Sequence, residues 1–249
     1  MFVFAKSKFK GFMHIHFIQQ VQEVTPGAYL VWAQKRRARI TCTRIWLFEH
    51  LPESTPDMLI ILGGPQNPSS SKAKYPFYDA PAQEAYIRRC VNEGKLVVGS
   101  CLGAQLLGEA MGAPFEHSPN REIGPTPIHL TAEGKSDPRL KGFPETFLSA
   151  EWHNDMPGLT PDSSILAESE GCPRQIICYA PNAYGLQCHM EFTKDIVEGA
   201  VDWDKVTLDE SQGMPYVKSR DEILSFDYSG MNALLHLFLD AFAASELFR

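Results

Sequence analysis

Short apolar segments alternate with segments of helical periodicity along the first half of the chain. The apolar segments at residues 13–18, 39–46, 57–64 and 95–99 predict strands, and those at 28–37, 81–93 and 103–112 predict helices. The segment 57–64 is almost continuously apolar, as expected of a strand that is covered on both faces. The alternation therefore predicts an α/β fold with a mostly parallel sheet and helices on both faces.

The second half of the chain is punctuated more often by proline and glycine. Residues 126–150 are predicted to add strands on one side of the sheet, and 174–180 should pair with 183–192 across a Pro-Asn turn. A final helix is predicted at 229–247, where an apolar stripe indicates core packing. Because no repeat or linker interrupts the pattern, residues 13–249 are predicted to form a single domain, with 1–12 as an N-terminal extension.

Charge and composition exclude several classes of function. The 249 residues contain 23 Lys+Arg and 30 Asp+Glu, a net charge of −7, and nucleic-acid binding instead needs a concentrated basic face. The basic residues at 35–39 are typical of a solvated helix end. No apolar run approaches the length of a membrane span, and the N-terminus has the wrong order for a secretory signal. The six scattered cysteines favour reduced thiols, so we expect a cytoplasmic protein that binds neither nucleic acid nor membrane.

The strongest chemical signal is the segment 96–112, in which a predicted strand turns sharply into a predicted helix. Gly99, Cys101 and Gly103 form a G-x-C-x-G pattern, the thiol counterpart of the elbow that carries a nucleophilic serine in hydrolases. Flanking glycines leave room for the strained turn, and the N-terminus of the helix favours the thiolate. The alternative is a buried cysteine that only fills the strand–helix junction.

A nucleophile needs a base, and the base needs a group that orients it. His189 and Glu191 are two residues apart in a predicted strand, so their side chains should lie on one face. The carboxylate could then hold the imidazole in the correct tautomer. A structural histidine is the alternative.

A Gly-Gly-Pro turn follows the buried strand 57–64 and exposes backbone N–H groups. The carboxyl ends of parallel strands meet at one edge of a sheet, so this turn should lie near Cys101. The N–H groups of Gly64 and Leu102 could then form an oxyanion hole. Taken alone, the motif is weak and favours a plain tight turn, but beside the other two motifs the oxyanion hole is the favoured interpretation.

These three motifs, in this order, resemble the class I (triad) glutamine amidotransferases. The matching residues are Gly63-Gly64-Pro65, the G-x-C-x-G-x-Q elbow from Gly99 to Gln105, and His189-Met190-Glu191. The likeness is closest to free-standing members similar to the amidotransferase domain of GMP synthase. It runs from about residue 13 to 225 and includes the segments 122–124 and 151–155. The resemblance implies a flavodoxin-like, three-layer fold.

The resemblance also implies a thiol-dependent amidohydrolase that cleaves the side-chain amide of glutamine through a γ-glutamyl thioester on Cys101. His189 would be the base, Glu191 would orient it, and Gly64 and Leu102 would supply the oxyanion N–H groups. The residues implied to line the glutamine pocket are Gln105, Glu122 and Gly124. His153 and Asp155 would lie near its rim, without an assigned role.

No cofactor or metal is expected, because the chain has no P-loop, G-x-G-x-x-G or H-E-x-x-H pattern. His14 and His16 share a strand face but lack a third ligand, so a strand role is favoured. The predicted partners are a small-molecule substrate, either glutamine or a γ-glutamyl compound, and a separate synthase subunit that accepts ammonia.

Two residues depart from the family pattern. Met190 replaces the usual proline and is expected to loosen the geometry of His189, and Cys188 replaces an aromatic residue and is expected to leave a gap beside the site. Two alternative functions stay open: a γ-glutamyl peptidase that uses the same triad, and a non-catalytic regulatory protein that retains the fold.

Overall fold

A nine-stranded sheet runs through residues 12–244, the part of the chain that the computed structural model describes. Residues 1–11, most of the predicted extension, and 245–249, which include the end of the predicted final helix, lie outside it. The strands are β1 (His14–Gln19), β2 (Arg39–Arg44), β3 (Met58–Ile61), β4 (Leu96–Ser100), β5 (Glu116–Leu130), β6 (Thr146–Met156), β7 (Ser164–Glu168), β8 (Ile176–Ala180) and β9 (Ala183–Leu186). The helices are α1 (Gly27–Lys35), α2 (Ala80–Asn92), α3 (Leu102–Ala110), α4 (Ala132–Ser136), α5 (Lys194–Trp203), α6 (Lys205–Ser211), α7 (Arg220–Ser225) and α8 (Ser229–Ala244).

The sheet has the order β2-β1-β3-β4-β9-β8-β7-β5-β6. The strands from β2 to β9 in this order pair in parallel, and β8, β7, β5 and β6 add an antiparallel extension. The predicted α/β fold is therefore confirmed, including the hairpin of β8 and β9. The predicted strand 183–192 is too long, because β9 ends at Leu186. Strand β7 and helices α4 to α7 were not predicted, and α4 lies within the segment 126–150 for which only strands were expected.

Helices cover both faces of the parallel strands. In β3, Met58 and Ile60 pack in one core cluster with residues of α1 and α8, whereas Leu59 and Ile61 pack in a second cluster with α2 and α3. Because alternate residues of a strand point to opposite faces, a strand covered on both sides must be apolar at every position. This packing explains the continuous apolar run at β3.

Helix α3 approaches the sheet unusually closely. A Cβ atom built on Gly103 would lie 2.1 Å from the carbonyl oxygen of Ile61, and one built on Gly99 would lie 2.2 Å from the carbonyl oxygen of Gly103. Both distances are far below van der Waals contact, and both neighbours are backbone atoms that cannot turn away. The two glycines therefore set the depth at which the elbow lies in the sheet.

We expect Gly103→Ala to lower the free energy of unfolding by more than about 2 kcal/mol, because the new methyl group would push α3 away from β3. Gly199→Ala, in α5, is the matched control, because a Cβ there meets no atom within 4 Å. The control should stabilise the protein by up to about 1 kcal/mol. Urea unfolding measures both, and equal effects of the two substitutions would contradict the packing argument.

Candidate active site

Cys101 lies between β4 and α3 in a backbone conformation that side-chain-bearing residues rarely adopt. Its φ is +51° and its ψ is −114°. Its N–H donates to the carbonyl of Leu186 on β9 at 2.8 Å, and its own carbonyl accepts the N–H of Ala104 at 2.9 Å, in the first turn of α3. Strained conformations of this kind persist only where the surroundings impose them, and they are enriched at functional sites. The bonds to β9 and α3 are that constraint.

His189 lies beside Cys101. Both side chains are buried, and Nδ1 of the His189 ring lies 2.7 Å from Glu191 Oε1. A Cβ on Gly63 would lie 3.2 Å from both Cys101 Cβ and His189 Cε1, so the Gly-Gly-Pro turn closes over the pair. The structure thus brings together the cysteine elbow, the histidine–glutamate pair and the glycine turn.

The expectation that His189 and Glu191 share a strand face is wrong. His189 forms an isolated bridge with Ala150 of β6, and the chain then turns, with the N–H of Phe192 reaching the carbonyl of His189 at 3.4 Å. The ring and the carboxylate meet because they lie within this turn. A strand would have held their side chains several ångströms apart.

Two helices donate hydrogen bonds to the turn that carries His189. Asn232 of α8 donates from its side-chain amide to the carbonyls of Met190 at 2.8 Å and Phe192 at 2.9 Å. The N–H of Ala28, in α1, donates to the carbonyl of Glu191 at 2.9 Å. The Phe192 ring stacks on the His189 ring, with centroids 4.2 Å apart. These contacts oppose the loosening that was expected from the missing proline.

Met190 and Cys188 both lie in the core cluster of α1 and α8, and neither lines the cavity above Cys101. The expected gap beside the site at Cys188 is therefore absent. Its thiol is fully buried against that core and faces the carbonyl of Gln175 at 3.8 Å.

Charge stabilises the Cys101–His189 pair. Burial alone would raise the pKa of the thiol, but the charge and hydrogen bond of His189, with smaller contributions from His153 and the N–H of Leu102, lower it below its ordinary value. Burial likewise opposes protonation of His189, but the charges of Glu191 and Cys101 and its bonds to both raise its pKa well above 6.5. The geometry therefore favours a thiolate–imidazolium pair.

A cavity of about 480 Å³ opens above the sulfur atom. Among the predicted site residues, those that line it are Cys101, His189, Gly64, Gln105, His153 and Asp155. Glu122 and Gly124 were predicted to line the glutamine pocket, but they are not part of the cavity wall. Within the segment 122–124, it is Ile123 that lines the cavity. The side chain of Glu122 turns inward to a buried network, and Gly124, at φ +99°, packs against Lys218.

Residues that the motifs did not reveal complete the cavity. Its far wall is formed by Trp152, Phe192, Ile196, Ala200 and Trp203, largely from the unpredicted helix α5. The indole N–H of Trp152 donates to Asp204 at 2.8 Å, which ties β6 to the junction of α5 and α6. Trp152 belongs to the segment 151–155 of the resemblance and Phe192 to the predicted strand 183–192, but no sequence pattern pointed to the wall residues of α5.

Behind the wall lies a buried polar network centred on Glu122. Its carboxylate accepts hydrogen bonds from Ser169 at 2.8 Å and Gln175 at 2.7 Å, and it lies 3.2 Å from the ring of His153. Ligand atoms of Glu122, His153 and Cys172 lie within 4.8 Å of one another. Since the donors around Glu122 already occupy its oxygens, we assign this cluster as a hydrogen-bond network and not as a metal site.

The two histidines of β1 are structural. His14 Nε2 and His16 Nδ1 each lie 2.7 Å from the hydroxyl of Thr41, and His16 Nε2 lies 3.0 Å from Thr43. These bonds tie β1 to β2, as the strand interpretation predicted.

The comparisons with known proteins agree with this geometry. A family model described as glutamine amidotransferase class-I matches residues 28–198. The chain belongs to this family. The glutamine amidotransferase-like protein YfeJ of Salmonella typhimurium is 42% identical over 230 residues, which cover 92% of this chain and 96% of that protein. The resemblance inferred from the three motifs is therefore confirmed.

Other relatives place the chain within the family. GMP synthase of Tolumonas auensis is 26% identical over 199 residues, 76% of this chain but only 36% of the synthase. The crystal structure of SMU.1228c, at 46% identity, has a TM-score of 0.90 and covers 93% of this chain and 100% of that one. A glutamine amidotransferase of Thermotoga maritima shares the fold at 20% identity, with a TM-score of 0.80 over 93% of this chain and 98% of that chain. Within residues 12–244, no helix has the length and apolarity to cross a bilayer.

We expect Asn232→Ala to lower the free energy of unfolding by about 1–3 kcal/mol, because two carbonyls in the turn after His189 would lose their donor. Asn92→Ala, at an exposed position of α2, should change it by less than about 0.5 kcal/mol. Urea unfolding of both variants is the measurement. A wild-type value for Asn232→Ala would show that the turn does not need this amide.

The pKa values of two buried histidines should lie on opposite sides of the ordinary value for this side chain. Burial and the neighbouring His14 lower the pKa of His16 to about 4. Burial opposes protonation of His153 too, but its bonds to Glu122 and Glu151 raise its pKa to about 9. NMR of the histidine rings at pH 7 should find His16 neutral and His153 protonated. By linkage, the stabilisation from His153 should be complete below pH 6.5 and lost as the pH rises through about 9. A neutral His153 at pH 7 would contradict the assignment.

Proposed function

We propose that this protein hydrolyses the side-chain amide of glutamine, releasing ammonia and glutamate through a γ-glutamyl thioester on Cys101. The observation that carries the proposal is the buried relay of Cys101, His189 and Glu191, in which the imidazole lies beside the thiol and its Nδ1 is 2.7 Å from the carboxylate. An intact relay also speaks against a non-catalytic protein that only retains the fold. Membership of the amidotransferase family supports the amide substrate.

Acylation begins when the thiolate of Cys101 attacks the γ-carbonyl carbon, while His189 holds the thiol proton. The oxygen then carries negative charge, for which the N–H groups of Gly64 and Leu102 are the proposed donors. Gly64 lines the cavity, and the N–H of Leu102 already points to the sulfur. His189 gives its proton to the nitrogen, the carbon–nitrogen bond breaks, and ammonia leaves.

In deacylation, His189 accepts a proton where it donated one in acylation. His189, now neutral, takes a proton from a water molecule that attacks the thioester carbon. The carbon–sulfur bond breaks, glutamate leaves, and the thiolate–imidazolium pair is restored. Glu191 keeps Nδ1 of His189 protonated in both steps, so that the opposite nitrogen faces the reacting atoms. Gln105, which lines the cavity, is proposed to bind the substrate.

A γ-glutamyl peptidase is the second candidate, and the size of the cavity favours it. A cavity of about 480 Å³ falls within the range that holds drug-sized ligands, which are larger than glutamine. Its far wall carries Trp152, Phe192 and Trp203, which could accommodate an apolar leaving amine. The two reactions share the thioester and differ in the amine that leaves.

The fate of ammonia is a separate matter. GMP synthase contains a region similar to this chain that makes up about a third of its length. We propose a separate synthase subunit as the acceptor of the ammonia that this chain releases. We also expect the protein to act in the cytoplasm.

A glutaminase assay, run beside a panel of γ-glutamyl dipeptides, tests the proposal. Turnover of at least one of these substrates should be abolished by Cys101→Ser and should fall by about a hundredfold or more in His189→Ala, because the base is lost. The matched control is Cys42→Ser, which removes an exposed thiol on β2 and should leave turnover unchanged.

The relative rates on glutamine and on the dipeptides decide between the two substrates. Unchanged turnover in Cys101→Ser, or labelling by a glutamine-analogue affinity reagent at another cysteine, would overturn the proposal.

A further inference from the structure

Three ionisable side chains of two paired strands meet behind the cavity wall, and the proposed reaction does not use them. The register of β5 and β6 places Glu122 directly opposite His153. Glu151 precedes His153 by two residues on β6 and therefore lies on the same face. The Nε2 atom of His153 is 3.2 Å from an oxygen of each carboxylate, and all three side chains are at most 1% exposed.

The hydrogen bonds around this group indicate how its charges are arranged. Ser169 and Gln175 donate hydrogen bonds to the carboxylate of Glu122. Burial raises the pKa of Glu151 to about 7, and the ring of His153, 3.2 Å from one of its oxygens, acts in the opposite direction and favours the carboxylate. A neutral ring would leave two buried carboxyl groups facing each other without a cation, which is costly.

The ring of His153 lies between the carboxylates and the reacting sulfur. It lines the cavity together with Cys101 and His189, whereas Glu122 and Glu151 do not. A charge on this ring therefore acts on the thiol more strongly than the two carboxylates do. The influence of His153 on the pKa of Cys101 has the same sign as that of His189.

We propose that Glu122 and Glu151 are positioning residues that hold His153 as a buried imidazolium, and that this fixed charge favours the thiolate of Cys101. The charge of His189 disappears whenever that residue passes its proton on. The charge of His153 persists, so the sulfur keeps a cationic neighbour when it attacks and when it leaves. The consequence for turnover rests on the proposed function, but the effect on the thiol does not.

Other ionisable groups around the site could also affect the thiol, and they come from every element packed against it. They are Glu23 after β1, Arg121 on β5, Asp155 on β6, Cys172 after β7, Glu191 in the turn after β9, and Asp204 between α5 and α6. The substitutions below leave all of these in place except Cys172, which is removed as a control.

The test measures the thiol of the free protein, without substrate. The rate at which iodoacetamide alkylates Cys101 is followed against pH by peptide mapping. Burial raises the pKa of the thiols of Cys90, Cys172, Cys178 and Cys188, so these cysteines should react slowly, and peptide mapping separates the exposed Cys42 from Cys101. In His153→Gln, the alkylation rate at pH 7 should fall by about threefold to tenfold, with the profile displaced to higher pH. Cys172→Ala, which removes a neighbouring thiol without a charge, should leave the profile unchanged.

Two titrations keep the proposal testable if His153→Gln does not fold. The ring of His153, followed by NMR, should titrate at lower pH in Glu151→Gln, which removes one of its two carboxylates. It should also titrate at lower pH in Cys101→Ser, because the coupling between thiolate and imidazolium is reciprocal.

An unchanged alkylation profile in folded His153→Gln, or unchanged titration of His153 in Glu151→Gln, would overturn the proposal. So would a stoichiometric metal ion in the purified protein that is lost in Cys172→Ala, because His153 would then be a neutral ligand. None of these measurements depends on glutamine hydrolysis, so a failure here and a failure of the proposed function are separate results.

Discussion

The close approach of α3 to β3 is the constraint on which the site depends. Gly103 leaves no space for a side chain between the helix and the carbonyl of Ile61, and Gly99 leaves none at the end of β4. With the backbone this close, the chain between the two glycines turns through a positive φ at Cys101. Strain in the elbow is thus offset by the packing of the sheet, and the sulfur atom is held at the floor of the cavity.

The second organising feature is buried charge, because buried ionisable groups of the site lie next to groups of opposite charge. The thiol and the ring of His189 can ionise together because each compensates the charge of the other in a buried site. A second histidine, His153, lies between two carboxylates a short distance behind the first pair. Antiparallel β5 and β6 make this arrangement possible, since cross-strand and same-face neighbours converge on one ring.

The turn from His189 to Phe192 shows how a departure from a family pattern can be compensated at a distance. Where proline would stiffen the chain, Met190 buries its side chain in the core, and Asn232 of α8 binds the carbonyls on either side of Glu191. The geometry of the base is therefore maintained by a helix more than forty residues away along the chain. The conformation of this turn thus depends on the position of α8 as well as on the local sequence.

The sequence alone determined the α/β class, the elbow and the residues of the histidine–glutamate pair. These follow from local rules, since apolar periodicity defines the strands and a close strand–helix turn demands glycine at Gly99 and Gly103. The inward turn of Glu122 toward His153 and the part of the cavity wall that α5 supplies were decided only by the tertiary structure. Each depends on the register of β5 against β6 or on the docking of a helix from a distant segment. Such contacts join residues far apart in the chain, so no spacing within the sequence encodes them.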